Sequence, residues 1–550
     1  MSGAGYKTPL LPVKGINKRS LRRKSNAAIS PKLLKQLDSM TTLSISENYD
    51  GKSRQDGDGN VEDMKLFTDN RILRSLLILS SGPFIAQVAL SFYGIINMMW
   101  VAKAIGDLGI AAIGAVVIVE FFANSVAIYL NTCICIQVSY LFGCGKKEIC
   151  EQLLVDFIRV CFIFGAILPA AILPTAKYLI RWFGAEDEIM TMAIQYLFPS
   201  QLGCSMLFLF YTVCGFLEAT GHMWLYAIVQ VAAFGLNMFG FNPMLLLGFK
   251  LPIWAASLST VISESTPTLI IVVMIFMGKF SVKPKIKMFF KCFVKDTFIA
   301  LNTGIADLIE AFSIDLSLVV MQKFIDNAAT KAGCLEAVLG VWSIIDKLEQ
   351  IISCVSNGIG EGLLPLASYA YGAKDYKRVA WLMFHSLWVM CSWAAVISIA
   401  LIIFPTQIAS IWSTDPEFLY WAKKMIRIYA YTGVLTAVDY TIPIMLMAMQ
   451  KPCAASCVSV FALLIPQPIC AAALYYTKKD DPARIIWTFD ISDLFSLVVG
   501  IIFMIKPIHE IRKSIKKSKE NTLLKDDMYV NPTKPENINR YTDLLEEDIT

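Results

Sequence analysis

Glu264 and Asp493 are the residues in this sequence best placed to do chemistry. Each is a carboxylate set in an apolar stretch, each follows a serine (Ser263, Ser492), and they lie 229 residues apart. If those stretches span a bilayer, each acid sits ~17 Å from the outer end of its helix, near the middle of a ~30 Å hydrocarbon core. A charged side chain there costs at least ~2.5 kcal/mol on insertion scales, so it persists only when paired or useful. A carboxyl group in that setting can take a proton from one side and release it to the other. The structural alternative is a helix–helix hydrogen bond or a salt bridge.

Other acids share this setting. Glu120 lies about 13 residues into its own apolar run. In the second half, Asp346-Lys347-Leu-Glu349 faces it, and the 226-residue separation of Glu120 and Asp346 makes them candidate equivalents. Lys347 beside two acids suggests an internal ion pair. Asp307 and Glu310 share a helical face at i, i+3, and Asp315 lies off it. Asp439 stands beside Tyr440 and ahead of Pro443. Asp307 and Glu361 read as close enough to the cytosol to be hydrated. Asn97, Asn237 and Asn242 are polar partners in the first half. The expected coupling residues are therefore Glu264, Asp493 and Glu120. Asn97, Asn237, Asn242, Asp315, Asp439 and Asp346 are expected at a substrate cavity.

Composition supplies the helices these acids need. The chain has 550 residues, 56% hydrophobic and 17% charged, with mean hydropathy +0.57, too apolar for a soluble protein of this length. Apolar runs predict an all-α integral membrane protein with about 12 transmembrane helices. The first six fall over 72–100, 107–141, 151–173, 187–218, 223–247 and 252–278. The second six fall over 297–325, 334–371, 376–404, 416–450, 453–477 and 482–508. The expected organisation is a disordered cytosolic tail (1–70), a first lobe (71–278), a basic linker (279–296), a second lobe (297–508) and a polar tail (509–550). Turns holding Lys146, Lys147, the linker lysines, Lys374, Lys377, Arg378 and Lys451 are more basic than those opposite, which places both termini in the cytosol.

Several classes fall away. Three histidines, no HExxH, no GxSxG and no phosphate loop leave no hydrolytic or phosphoryl chemistry, so any work must be driven by an ion gradient. The 14 cysteines show no paired spacing, and no metal, cofactor or nucleic-acid partner is expected. The first apolar run begins near Ile72, too late and too long for a cleavable signal peptide. Ser25 follows Arg22-Arg23-Lys24 like a phosphorylation site, and Tyr541-Thr-Asp-Leu544 matches a short sorting pattern.

The 229-residue offset recurs. Ser139-Tyr140 pairs with Ser368-Tyr369, Phe142-Gly143 with Tyr371-Gly372, and Gly221-His222 with Gln450-Lys451. Phe216-Leu-Glu-Ala219 falls on Met445-Leu-Met-Ala448 in the same register. Six helices per copy is an even number, so the two lobes enter the membrane in the same sense, as parallel pseudo-symmetric halves.

Gly360-Glu-Gly-Leu-Leu-Pro365-Leu-Ala-Ser-Tyr369-Ala-Tyr371-Gly372-Ala373-Lys374 resembles the signature after the eighth helix of the multidrug and toxic compound extrusion (MATE) family, of the MOP flippase superfamily, and is most similar to its DinF-like branch. Leu79-Ser-Ser-Gly-Pro83, Val101-Ala-Lys-Ala-Ile-Gly106, Gly235-Leu-Asn237, Asn242-Pro243 and Ala255-Ala-Ser-Leu-Ser-Thr260 resemble further family features in the same order. The resemblance covers about residues 72–508. It implies a monomeric antiporter that exports organic cations or metabolites in exchange for H⁺ or Na⁺, in a plasma membrane or a vacuole-like intracellular membrane. It also implies a coupling role for Glu310, which resembles the helix-seven acid of other branches. Asn97 and Asn242 stand where related members often carry aspartate, and an amide cannot titrate, so a proton site would move to Glu264 or Glu120. A lipid or lipid-linked-sugar flippase is the alternative, and a channel or receptor the second.

Overall fold

A computed structural model describes residues 66–182 and 187–530, which are helical with no strand among them. Of the expected tails (1–70 and 509–550), residues 1–65 and 531–550, with Ser25 and residues 541–544, lie outside the described residues.

The first half comprises α1 (Ile72–Ile105), α2 (Asp107–Gly143), α3 (Lys147–Trp182), α4 (Asp187–Leu202), α5 (Cys204–Ala219), α6 (Met223–Gly235) and α7 (Trp254–Phe276). A 3₁₀ turn, Ile286–Phe290, marks the linker. The second half comprises α8 (Lys295–Ala332), α9 (Leu335–Gly372), α10 (Tyr376–Ile403), α11 (Pro405–Ala409), α12 (Pro416–Ala430), α13 (Thr436–Ala448), α14 (Pro452–Ser459), α15 (Pro466–Thr477), α16 (Pro482–Ile485) and α17 (Trp487–Val530). Eight of the described helical spans are long and apolar enough to cross a membrane, or nine if α4 and α5, bent by 51°, form one span. The stretches outside that set, α8, α9 and the broken α12–α13, carry buried acids that lower their hydropathy. Helix α17 runs on to Val530, through the basic segment where a polar tail begins in the sequence.

The two halves repeat in their backbone as well as their residues. Gly145 (φ +75) and Lys374 (φ +57) adopt the left-handed conformation 229 positions apart, and so do Gly221 (φ +83) and Gln450 (φ +58). In each pair the second lobe keeps the turn without the glycine that makes it easy. The helix pair α6 and α14 also loosens into π turns in both lobes, at Leu236–Phe241 and at Val460–Leu464.

Packing differs between the two ends of the bundle. At the linker end the lobes share one core, where Leu76, Leu79, Cys135, Ile136 and Met223 pack with Ile359, Leu363, Leu366 and Leu446. At the far end each lobe has its own: Ala112, Ile113, Ile172, Met190 and Leu246 in the first, Met321, Ile325, Val338, Ile344 and Met425 in the second. Glycines allow the shared core to close. A Cβ on Gly143 would collide with the Tyr369 carbonyl, one on Gly372 with the Tyr140 carbonyl, and one on Gly362 with Ser80. Close backbone approach of this kind is how helices associate without a solvent-driven hydrophobic term.

Candidate functional site

Where the two cores part, a cavity of about 640 Å³ lies between the lobes. Gly114, Val117 and Phe121 of α2 form one wall; α8, α9, α12 and α17 form the other. Three acids (Asp326, Asp346, Glu349) and one lysine (Lys323) line it, together with Phe121, Trp342, Tyr429 and Phe489. Trp342 stacks on Phe489 at 6.1 Å, and Tyr429 meets the same ring edge-on at 5.4 Å. Asp326 Oδ1 and the Tyr429 hydroxyl are buried without a hydrogen-bond partner.

Beneath each wall lies a group of acids. In the first lobe Glu120 (α2) and Glu264 (α7) are near enough for their charges to interact, and both face Tyr196 and Tyr93. In the second, Asp493 (α17) is 7% exposed and interacts with Asp439 (α13), Glu349 (α9) and Asp490 (α17). Ser496 donates to Asp439, and Thr432 to Asp490 Oδ1 at 3.0 Å. Glu310 (α8) accepts from Ser459 at 3.2 Å.

This arrangement corrects one equivalence. Glu349, not Asp346, is the residue beside Asp493, and it lies 229 positions from Glu120. The pairs Glu120/Glu264 and Glu349/Asp493 therefore obey one offset. Asp346 instead pairs with Lys347 at 3.0 Å with both side chains about half exposed (48% and 47%), so the ion pair is on the cavity lip rather than internal. Such an exposed pair contributes little to stability.

The amides sit apart from the cavity. Asn242 donates to Asn97 at 2.5 Å, and Asn237 donates to Ser259 and Thr260, each at 3.1 Å. Asn237 and Asn242 are buried, so these three residues tie α1, the π turn of α6 and α7 together, and none is among the residues lining that cavity. Of the six expected cavity residues, Asp346 is in the wall, Asp439 is one layer behind it, and the Asp315 side chain lies outside the described residues.

A second acid group occupies the closed end: Asp307 and Glu361, expected to be hydrated, and Glu218, which the sequence reading passed over. Glu361 is not hydrated there: it accepts from Gln87 at 2.8 Å and from Tyr226 at 2.9 Å, both in the other lobe. Asp307 likewise accepts from Thr132 across the lobe boundary at 2.7 Å. Glu218 is fully buried, takes one bond from Asn131 at 3.3 Å, and leaves Oε2 without a partner. Its signal in the sequence was asymmetry, because the repeat sets Glu218 opposite Met447.

The MatE family model matches residues 83–243 and 314–471, one stretch in each lobe. The chain belongs to the MATE family. Among curated MATE proteins it is similar to the probable multidrug resistance protein YoeA of Bacillus subtilis, 19% identical over 416 residues that span 74% of this chain and 88% of that one. It is 22% identical over 435 residues (75% and 90%) to the multidrug export protein MepA of Staphylococcus aureus. Solved structures share the fold. An outward-facing multidrug resistance MATE transporter of the MOP superfamily aligns at TM-score 0.73 and 17% identity, over 84% of this chain and all of that one. A MOP superfamily transporter from Pyrococcus furiosus, described by the reverse polarity of its binding pocket, aligns at TM-score 0.73 and 16% identity, over 84% and 99%. The chain is thus a multi-pass MATE transporter of small molecules, and not an enzyme.

Proposed function

We propose that this MATE protein is an antiporter that exports small organic cations in exchange for H⁺, with Na⁺ as the alternative coupling ion. The observation that carries the reading is the position of Glu349, which lines the inter-lobe cavity and also belongs to the acid group of Asp439 and Asp493. One carboxylate is then common to both ligands. A cation resting against Trp342, Phe489 and Tyr429 gains from the ring faces and from ionised Asp326, Asp346 and Glu349. Protons taken up by the same group remove that charge and weaken the hold on the cation. Because ligand and ion favour opposite charge states, each biases the two-state equilibrium of the lobes by its differential affinity, which is the condition for coupling.

The mirrored pair Glu120/Glu264 in the first lobe is a second proton-accepting position, and Glu310, bonded to Ser459, a third. The geometry supports an alternating-access cycle in which the linker end is shut and the far end open, with positive turns putting the linker end and both termini in the cytosol. The mostly acidic cavity disfavours an anionic lipid-linked cargo. In proteoliposomes holding the full chain, an imposed pH or Na⁺ gradient is expected to drive accumulation of a fluorescent organic cation. Flux indifferent to either gradient overturns the antiport reading, and movement of an anionic lipid in its place establishes the flippase.

A further inference from the structure

The linker between the lobes is a built platform rather than a loose strap. Its extended part alternates, with Phe280, Val282 and Pro284 buried and Lys283 and Lys285 exposed, the two-residue period of extended chain. Phe280 packs on His222 at 5.1 Å and on Phe216 at 6.3 Å, and Phe289 stacks on Phe276 at 6.1 Å.

Asp156 of α3, fully buried, is the hub. It accepts from the Val294 backbone N–H at 2.9 Å, from Thr297 at 2.9 Å, from Gln152 at 2.8 Å and from Arg159. Arg159 in turn donates to the Phe289 and Lys291 carbonyls at 3.2 and 2.7 Å, and lies 4.2 Å over the Phe293 ring. These contacts fix the far side of the 3₁₀ turn in place.

The near side presents large apolar groups at full exposure. Phe290 is 90% exposed and Ile286 73%, one on each side of Lys287, with Lys285 and Lys291 flanking them, all exposed. Met277 (65%) and Phe298 (62%), at the ends of α7 and α8 that the linker joins, are exposed as well. A held turn with two projecting apolar side chains, ringed by lysines, at the end of a membrane-spanning bundle, matches an in-plane interfacial anchor. The charge names the occupant: lysines beside a bilayer surface attract anionic headgroups.

We propose that the linker face formed by Lys285, Ile286, Lys287, Phe290 and Lys291 binds anionic phospholipid of the adjacent leaflet, with Phe290 inserted among the acyl chains. It thereby fastens the joint between the lobes to the membrane surface. The Asp156–Arg159 latch positions the face and does not touch the lipid.

The test replaces Phe290 with photoreactive p-benzoylphenylalanine in the full chain, in nanodiscs of three parts phosphatidylcholine to one part phosphatidylglycerol. After irradiation, the adducts are identified by mass spectrometry. Phosphatidylglycerol adducts are expected at about threefold or more above that lipid's bulk share. Combining Lys285→Gln, Lys287→Gln and Lys291→Gln should return the ratio to the bulk share while total lipid adduct persists, and the Lys→Arg triple should keep the enrichment. Adducts in proportion to bilayer composition overturn the proposal. So does attachment to a protein instead of lipid, either in nanodiscs or in native membranes.

Discussion

Gly372 meets Tyr140 across the lobe boundary with no room for a side-chain atom between them, and Gly143 meets Tyr369 in the mirror contact. Each contact is the other shifted by the repeat offset. The closed end of the bundle is therefore sealed by one interaction used twice, and it must be undone for that end to open.

Gly372→Ala should hold the seal apart. Its Cβ meets backbone, which cannot rotate away, so a cost of about 1–3 kcal/mol in the sealed state is expected. Cys144 reports the change, since its thiol donates to the Gly372 carbonyl at 3.4 Å. Labelling of Cys144 by an impermeant maleimide, followed on its tryptic peptide, should speed up several-fold. An unchanged rate would mean the seal does not depend on this approach.

Glu361 should behave as a clasp. Glu361→Leu leaves Gln87 and Tyr226 without their acceptor inside the shared core, and each unsatisfied buried group costs about 1–3 kcal/mol. Glu361→Gln keeps an acceptor oxygen for Gln87 and offers its amide N–H to the Tyr226 hydroxyl, which can accept it. Thermal unfolding in detergent should rank wild type and Glu361→Gln together, with Glu361→Leu clearly below; equal midpoints for all three would contradict the bonding scheme.

Lys374 and Gln450 hold a backbone conformation that costs an L-residue roughly 1–2 kcal/mol. Lys374→Gly and Gln450→Gly should match or exceed the wild-type midpoint, and Lys374→Val should fall below it by about 1 kcal/mol or more. The opposite order would place the strain elsewhere.

Far from the seal, Lys424 bonds Asp481 at 2.8 Å and Lys478 reaches it at 3.4 Å. Both hold its carboxyl below the usual carboxylate range, against an upward push from burial. A folded-state value below the unfolded one means stability that is full above the unfolded value of ~3.9 and fades as pH falls through the folded value. Partial exposure keeps it small, at most about 1 kcal/mol. Asp481→Asn should unfold slightly earlier than wild type at pH 7, and the difference should shrink as the pH falls through the acid range.

Eight or nine of the expected spans were legible because bilayer-length apolar runs are unambiguous, and the repeat because one offset carries Tyr140 to Tyr369 and Gly221 to Gln450. Buried acids stood out individually: Glu120, Glu264, Glu310, Asp439 and Asp493 were all found as charges in apolar runs. Their partners were not. Asp346 was chosen over Glu349 on its 226-residue separation from Glu120, whereas the acid pairs keep the 229-residue offset. Glu361 was misread as hydrated, and Glu218 was missed, for another reason. Depth along a helix does not reveal which side faces the other lobe, and only the fold shows Gln87 and Tyr226 closing on Glu361. The Asp156–Arg159 latch was hidden likewise, since its ligands are backbone groups of a linker more than 130 positions away.

The central claim is that the cation and the proton compete for the acid group containing Glu349. It is tested most directly by adding a saturating organic cation to purified protein in weakly buffered detergent solution and recording the pH. The account predicts proton release on binding, of the order of one per protein, reduced in Glu349→Gln under conditions where that variant still binds. Cation binding that moves no protons across the range from pH 5 to 9 would contradict it.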